Sequence, residues 1–343
     1  MKCRLLPFVI SLLVALPTGA LARDVSSAVR EPIGNSARST LAGWQSRVMS
    51  EIANEPVSTS AGPISGGAEN AKLPRLLSID YDRYLVDPGL PNPIQSAWVF
   101  DPALRRIVMW GGAGAYRDGI STLTLDSPRR WTRLPLQNPY EPPVAASAIL
   151  RSADNTMVVF GGRDTSKTET ANSRVDIFTL DASPAYLGDY NPGSGPAARW
   201  GHCAVYDPTG DAMFVFGGQS PGNVKYNDVW KLSFSPSLTW TQLSPTGTAP
   251  SARVGAAMVL DPSGHRLVIH GGSPAFTPNG PSGPLLSDTW ALDLDPTPHW
   301  TQLTIGAPGP ATCLAAASYD VAGDRMFLFG GEKLSPPADS STW

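Results

Sequence analysis

Charge is sparse in this chain. Only 16% of its 343 residues are charged, and 26 Lys and Arg against 29 Asp and Glu leave a formal net charge of -3. No run or stripe of basic side chains can track a phosphate backbone, so nucleic acid is not an expected partner. Long hydrophobic runs are missing too: none beyond the N-terminus approaches eighteen apolar residues, so no transmembrane segment is expected. Of three cysteines, only Cys203 and Cys313 lie beyond residue 22, at different heights of two strands, and no disulfide is expected between them. The four histidines, His202, His265, His270 and His299, share no ligand spacing such as HExxH, and no CxxC occurs. No metal or other cofactor is expected.

Proline and glycine, by contrast, are plentiful, at 34 and 33. With so little charge, they point to many turns and short strands rather than long helices. The first 22 residues have the form of a secretory signal: Lys2 and Arg4, an apolar stretch from Leu5 to Leu16, then Ala-Leu-Ala at Ala20 to Ala22. Cleavage near Ala22 is expected, giving a secreted, periplasmic or cell-surface protein of bacterial type. Residues 23–73 are rich in Ser, Ala and Gly and read as a linker or lead-in. Within them Leu41, Trp44, Val48 and Ile52 recur at helical spacing after Ser36, predicting a short amphipathic helix over 37–54.

From about residue 93 the chain repeats. Asp101 to Gly111, Arg151 to Gly161, Asp207 to Gly217, Asp261 to Gly271 and Asp320 to Gly330 are each ten residues apart, and every interval ends in a glycine doublet. The doublets are Gly111-Gly112, Gly161-Gly162, Gly217-Gly218, Gly271-Gly272 and Gly330-Gly331, and successive ones start 50, 56, 54 and 59 residues apart. Such a period suits blades of a β-propeller. Within a repeat, a short apolar strand meets an anchor and turn (DPTG at 207, DPSG at 261), where a nearby glycine is expected to take positive φ. An apolar strand such as AMFVF then runs into the doublet. Two more strands follow, marked by Trp230 and Trp240 and again by Trp290 and Trp300; the first repeat keeps only Trp131, and the second has no tryptophan.

These features together resemble the Kelch-repeat family. The hydrophobic run, the doublet and the separated aromatics match over about 93 to 343, with NDVW, SDTW and SSTW as the most specific segments. The resemblance implies an all-β fold: a Kelch-type β-propeller of four-stranded antiparallel blades, on the scaffold seen in the central domain of galactose oxidase. Five blades are visible over 74–343, and the last stops at Trp343 in its third strand. LLSIDYDRYLVD (76–87) is expected to supply the closing fourth strand; the competing expectation is that further blades belong beyond 343.

No catalytic residue stands out. The Gly-x-Ser-x-Gly match at Gly218 to Gly222 follows a doublet and runs into a strand, the wrong setting for Ser220 as a nucleophile. Galactose oxidase-like copper chemistry would need histidines, tyrosines and a Tyr-Cys link that cannot be assigned here. The expected activity is therefore binding of a protein or glycan by a monomer, with no chemistry of its own. The alternative is an extracellular enzyme of the oxidase or sugar-isomerase kind on the same scaffold. Recognition is expected at the loops between the second and third strands and those joining successive blades. Counted from doublet to tryptophan-equivalent position, the former measure 10, 17, 13, 19 and 13 residues, and variable loops on a rigid frame are where recognition usually resides. Arg199, His202, Asn227, Asp228 and Arg253 lie toward that face and are the candidate ligand-binding residues. The structural alternative for the two arginines is hydrogen bonding between blades.

Overall fold

The computed structural model describes residues 95–112, 120–126, 131–134, 142–164, 171–182, 184–191, 193–277, 280–304 and 309–332. The helix expected over 37–54 and the closing strand expected over 76–87 lie outside the described residues, as do the signal segment expected over 1–22 and the third strand expected for the fifth blade.

Among the described residues the regular structure is all strand, arranged as successive blades of a β-propeller. Blade one comprises β1 (Ala97–Asp101), β2 (Arg106–Trp110), β3 (Ile120–Thr124) and β4 (Trp131–Leu134). Blade two has β5 (Ser147–Arg151), β6 (Thr156–Phe160), β7 (Val175–Thr179) and β8 (Tyr186–Tyr190). Blade three has β9 (Cys203–Asp207), β10 (Ala212–Phe216), β11 (Val229–Ser233) and β12 (Thr239–Gln242). In blade four, β13 (Ala257–Asp261) and β14 (Arg266–His270) are followed by a small hairpin, β15 (Phe276–Thr277) with β16 (Gly280–Pro281), and then by β17 (Thr289–Asp293) and β18 (His299–Leu303). Blade five is described as β19 (Ala316–Asp320) and β20 (Arg325–Phe329). Blades one to four are four-stranded antiparallel sheets in chain order.

Burial explains the residue choice. In blades two and three the second strand is covered on both faces by neighbouring blades, and all five residues of β6 and β10 are buried, as are those of β2. A strand covered on both sides reads as a continuous apolar run. Outer strands touch protein on one face only, so β12 and β18 bury Trp240 and Trp300 and expose Thr239, Thr241, His299 and Thr301.

At the first hairpin the anchor aspartate takes backbone N–H groups two and three residues on: Asp207 accepts from Thr209 at 2.9 Å and Gly210 at 3.1 Å, and Asp261 repeats this with Ser263 and Gly264. The left-handed residue of this turn is not the expected glycine. It comes one place later, at Asp211 (φ 42°) and His265 (φ 43°), and at the same position in the other blades, Arg105, Asn155 and Asp324. Its carbonyl caps the end of the third strand, as Leu125 N–H to Arg105, Leu180 to Asn155, Phe234 to Asp211 and Leu294 to His265.

Two backbone ladders stitch blade to blade. The second glycine of a doublet donates to the next blade: Gly112 to Pro143, Gly162 to Arg199, Gly218 to Arg253 and Gly272 to Thr312, at 2.7–3.1 Å. Six residues before each anchor, a left-handed residue donates to its counterpart in the preceding blade: Ala145 to Gln95, Gly201 to Ala145, Gly255 to Gly201 and Leu314 to Gly255, at 2.7–2.9 Å. Between the ladders lie the apolar seams. Val108, Trp110 and Ile120 meet Met157 and Val159; Val158 and Phe160 meet Met213 and Val215; Phe214 and Phe216 meet Leu267 and Ile269.

Blade two, weakest in sequence, keeps the register with different chemistry. Phe160 pairs with Val175 as Phe216 pairs with Val229, so Asp176 stands in the place of Trp230. That is fifteen residues after Gly161, not the seventeen counted from sequence. Tyr186 pairs with Phe178 as Trp240 pairs with Leu232, and the Tyr186 hydroxyl donates to Asp176 at 3.1 Å.

Candidate functional site

Arg199 and Arg253, eight residues before their anchors, are each 1% exposed. Arg199 forks onto Asp228, with Nη1 at 2.6 Å and Nη2 at 2.9 Å from its two oxygens, and Nη1 also donates to the Gly217 carbonyl at 3.0 Å. Its guanidinium lies 4.1 Å from the centre of the Tyr226 ring. Arg253 repeats the arrangement on Asp288, at 2.7 and 2.9 Å, and on the Gly271 carbonyl at 3.0 Å. Each aspartate in turn accepts the indole N–H two residues on, Trp230 at 2.7 Å and Trp290 at 2.6 Å. Burial works to raise the carboxyls of Asp228 and Asp288, but the bidentate arginine outweighs it and holds both below the ordinary aspartate range. The side-chain bonds of these arginines stay within a blade; their backbone reaches across, the carbonyls accepting from the preceding blade's second glycine and the N–H groups donating to the Asn172 and Tyr226 carbonyls.

His202 is 8% exposed and wedged between blades two and three. Its Nε2 shares a hydrogen bond with the Ser147 hydroxyl at 2.7 Å, its ring meets Phe160 edge-on at 5.0 Å, and its Nδ1 has no partner. Burial, helped by nearby Arg199, pushes its pKa down to about 3. The Ser147–His202 contact lacks a carboxylate to orient the ring, and a base so reluctant to take a proton is unsuited to activating a hydroxyl. Asn227 donates to the Pro250 carbonyl at 3.0 Å, tying the second-to-third-strand loop of blade three to the segment that leads into blade four.

Cys203 and Cys313 are free thiols; burial pushes the first up to about 12 and raises the second further. His270 fills an aromatic position, with Thr289 at 2.9 Å and the Pro310 carbonyl at 3.0 Å. The Ser220 hydroxyl accepts the Val224 N–H at 3.2 Å. Among the described residues no group of three or more His, Cys, Asp or Glu is placed to hold a metal ion, and no helix is long and apolar enough to cross a membrane.

The face that carries the loops between second and third strands has its own construction. The residue after each doublet bridges to the lead-in of the inner strand: Arg163 with Val144, Gln219 with Trp200, Ser273 with Val254, and Glu332 with Cys313. The Arg163 guanidinium lies 5.1 Å from the Trp200 ring centre, and Trp200 meets Phe276 of the blade-four hairpin at 5.6 Å. Gln219 is 4% exposed with its Oε1 unpartnered. The blade-three loop closes on itself through Ser220 N–H to Val224 and Asn223 N–H to Ser220, and projects Val224, 57% exposed, beside Lys225. Sequence reasoning missed Arg163, Trp200, Gln219 and Phe276. The legible signal was that the residue after the doublet changes from blade to blade, as Arg, Gln, Ser and Glu.

Comparison with known proteins places this architecture among relatives. The family model described as the KLHDC2/KLHL20/DRC7 Kelch-repeats domain matches residues 102–331. Dynein regulatory complex subunit 7 of Chlamydomonas reinhardtii is 31% identical over 106 residues, 30% of this chain and 9% of the relative. The flagellar outer-arm dynein alpha chain of the same organism is 28% identical over 190 residues, 52% of this chain and 4% of the relative. Rho GTPase-activating protein gacHH of Dictyostelium discoideum is 29% identical over 124 residues, 36% of this chain and 8% of the relative. The chain thus spans less than a tenth of the length of these curated relatives. The solved structure of YjhT superposes with a TM-score of 0.51 at 16% identity, covering 69% of this chain and 72% of that one, and shares the fold.

Proposed function

The chain belongs to the Kelch-repeat domain family, and from that premise we propose that it is a binding module that takes a protein segment on the loop face around Trp200. One contrast supports this reading. The residues that recur at fixed positions, Arg199, Arg253, Asp228 and Asp288, have their polar groups bonded within the blade, whereas the loop face varies in residue type and presents Val224 to solvent. Apolar side chains on a rigid rim are the usual anchors of protein recognition. Export is part of the proposal and draws on Lys2, Arg4, the apolar stretch from Leu5 and Ala20 to Ala22; mature protein recovered outside the cytoplasm would begin at Arg23.

The test is a peptide library and a glycan array probed with the purified chain. Peptide binding that is lost on Val224→Asp and kept on Val321→Asp is expected, since Val321 is 64% exposed in the hairpin turn of blade five, at the opposite end of the strands. Binding to glycans alone, or binding indifferent to Val224→Asp, overturns it.

A further inference from the structure

The anchor aspartate of a blade's first hairpin takes its cation from within the blade in blades one, four and five. Arg106 Nε lies 2.9 Å from Asp101, Arg266 Nε 2.8 Å from Asp261 and Arg325 Nε 3.2 Å from Asp320, each arginine standing five residues after its anchor. Blade three breaks this rule. Ala212 occupies the arginine's place after Asp207, and the partner comes instead from blade four, whose His265 sets Nε2 3.1 Å from Asp207 Oδ2. The other ring nitrogen, Nδ1, meets the Asp295 carboxylate beyond β17. Asp207 is 1% exposed, and its remaining bonds are the N–H groups of Thr209 and Gly210.

A carboxylate only accepts, so one carboxylate at each ring nitrogen demands a proton on both, which the imidazolium alone provides. The bond to Asp207, helped by Asp295, raises the His265 pKa against the opposing effect of burial. The other charged groups nearby are engaged elsewhere. On the same hairpin Asp261 and Arg266 bond to each other, with Asp293 of β17 in register with Arg266. Lys231 of β11 approaches the turn at Gly210, with its ammonium 5.9 Å from the Phe214 ring centre. Corresponding contacts in the neighbouring seams do not depend on a proton that titrates near neutrality. Arg106 of blade one donates to the Leu180 and Asp181 carbonyls of blade two at 3.1 and 2.5 Å, and Arg151 of blade two forks onto Asp211 of blade three at 2.8 and 2.7 Å. A guanidinium stays charged throughout. Between blades four and five the Tyr319 hydroxyl reaches Asp261, and burial pushes its titration up.

We propose that His265 is a pH-operated strap between blades three and four: as the imidazolium it ties Asp207 of one blade to Asp295 of the other, and on losing its proton it releases the hairpin end of that seam. A neutral ring donates from one nitrogen only, so one of the two carboxylates then faces a bare lone pair. The buried Asp207 has no arginine of its own blade to fall back on, and a buried charge that loses its partner is costly. The strap is therefore closed in acid and opens as pH rises through the raised value.

Ring-nitrogen NMR and amide exchange on the full chain test the strap. At about pH 6.5, the ordinary midpoint of a histidine, most of the His265 ring is expected to carry both protons, and a mainly neutral ring there overturns the proposal without any variant having to fold. Exchange corrected for the intrinsic effect of pH is then compared at about pH 5.5 and 8.5, on either side of that midpoint. Protection over 206–212 and 261–266, read relative to 101–106, should fall at least threefold on going to the higher pH. His265→Gln should show the lower protection at both values and His265→Arg the higher one at both. Wild-type protection that does not change with pH, or a pH dependence that survives in His265→Gln, overturns the proposal.

Discussion

His202 occupies a position where the other repeats carry Ser96, Ala146, Ala256 and Ala315, and it fills the space between two blades with a ring that stays neutral. The unfolded chain carries an ordinary imidazole near pH 6.5, whereas burial holds the folded one at about 3. Between those values the unfolded state binds a proton that the native state refuses, so this contribution to stability is intact above about pH 6.5 and declines as pH falls through the window. The slope is about 1.4 kcal/mol per pH unit for one full proton. His265 works in the opposite sense: Asp207 at 3.1 Å and Asp295 hold its proton and raise its pKa, so its contribution is present below about 6.5 and lost as pH rises through the raised value. Urea unfolding of the wild type and His202→Ala, both in a His265→Ala background, separates the two. From pH 6.5 to 5 the chain retaining His202 should lose on the order of 2 kcal/mol more than the variant. Parallel pH profiles would show that the ring takes up protons in the native state.

At the scale of the strand, what the sequence disclosed is what the backbone demands locally. The first two strands, their hairpins and the doublets were readable in every blade because burial on both faces dictates an apolar run, and because the ladder leaves no room for a side chain at its end. A Cβ added to Gly217 would sit 2.9 Å from the Arg253 carbonyl oxygen of the next blade, at a φ of 71°. Gly217→Val should therefore cost about 1 to 3 kcal/mol and lower Tm by several degrees. At Gly193, φ is 81° but nothing lies within 4 Å, so Gly193→Ala should cost less than half as much; equal losses in calorimetry would place the penalty in φ alone. What stayed hidden was chemistry shared between strands. The tyrosine and aspartate of blade two replace the two tryptophans of blades three and four only because β7 and β8 bring them together, and no spacing rule announces that exchange. The Arg199–Asp228 and Arg253–Asp288 pairs were half legible. The arginines and aspartates were visible as repeats, but fixed spacing does not say whether a guanidinium faces a ligand or its own blade. Where Thr312 replaces the arginine, Ser341 stands at the aspartate's position, and that joint loss was the available clue to pairing. The left-handed residue of the hairpin was misplaced by one because composition favours glycine there, whereas the aspartate's bonds to the two preceding N–H groups set the bend one residue later.

Over the whole molecule, the inner rim bears on how the array closes. Both backbone ladders run without interruption from blade one to blade five. A direct junction of blade five with blade one would continue them, with the Gln95 N–H meeting the Leu314 carbonyl, but no such bond is formed between these two described residues. A side chain agrees. Ser96 occupies the position of His202, which bonds to Ser147 four residues before the anchor of the preceding blade. The Ser96 hydroxyl is buried without a partner, and the corresponding residue of blade five is Ala316, which has no polar atom to offer. Backbone and side chain alike show no direct seam between blade five and blade one at these described residues. Cysteine pairs at equivalent places turn this into a measurement, in a chain with Cys3, Cys203 and Cys313 replaced by alanine. Ser147→Cys with His202→Cys brackets a seam whose side chains touch at 2.7 Å, so mild oxidation should join that pair, given the approach a disulfide needs. Ser96→Cys with Ala316→Cys should remain reduced under the same conditions, because no backbone or side-chain bond joins the two lead-ins. Efficient cross-linking of the second pair would mean that five blades close on themselves.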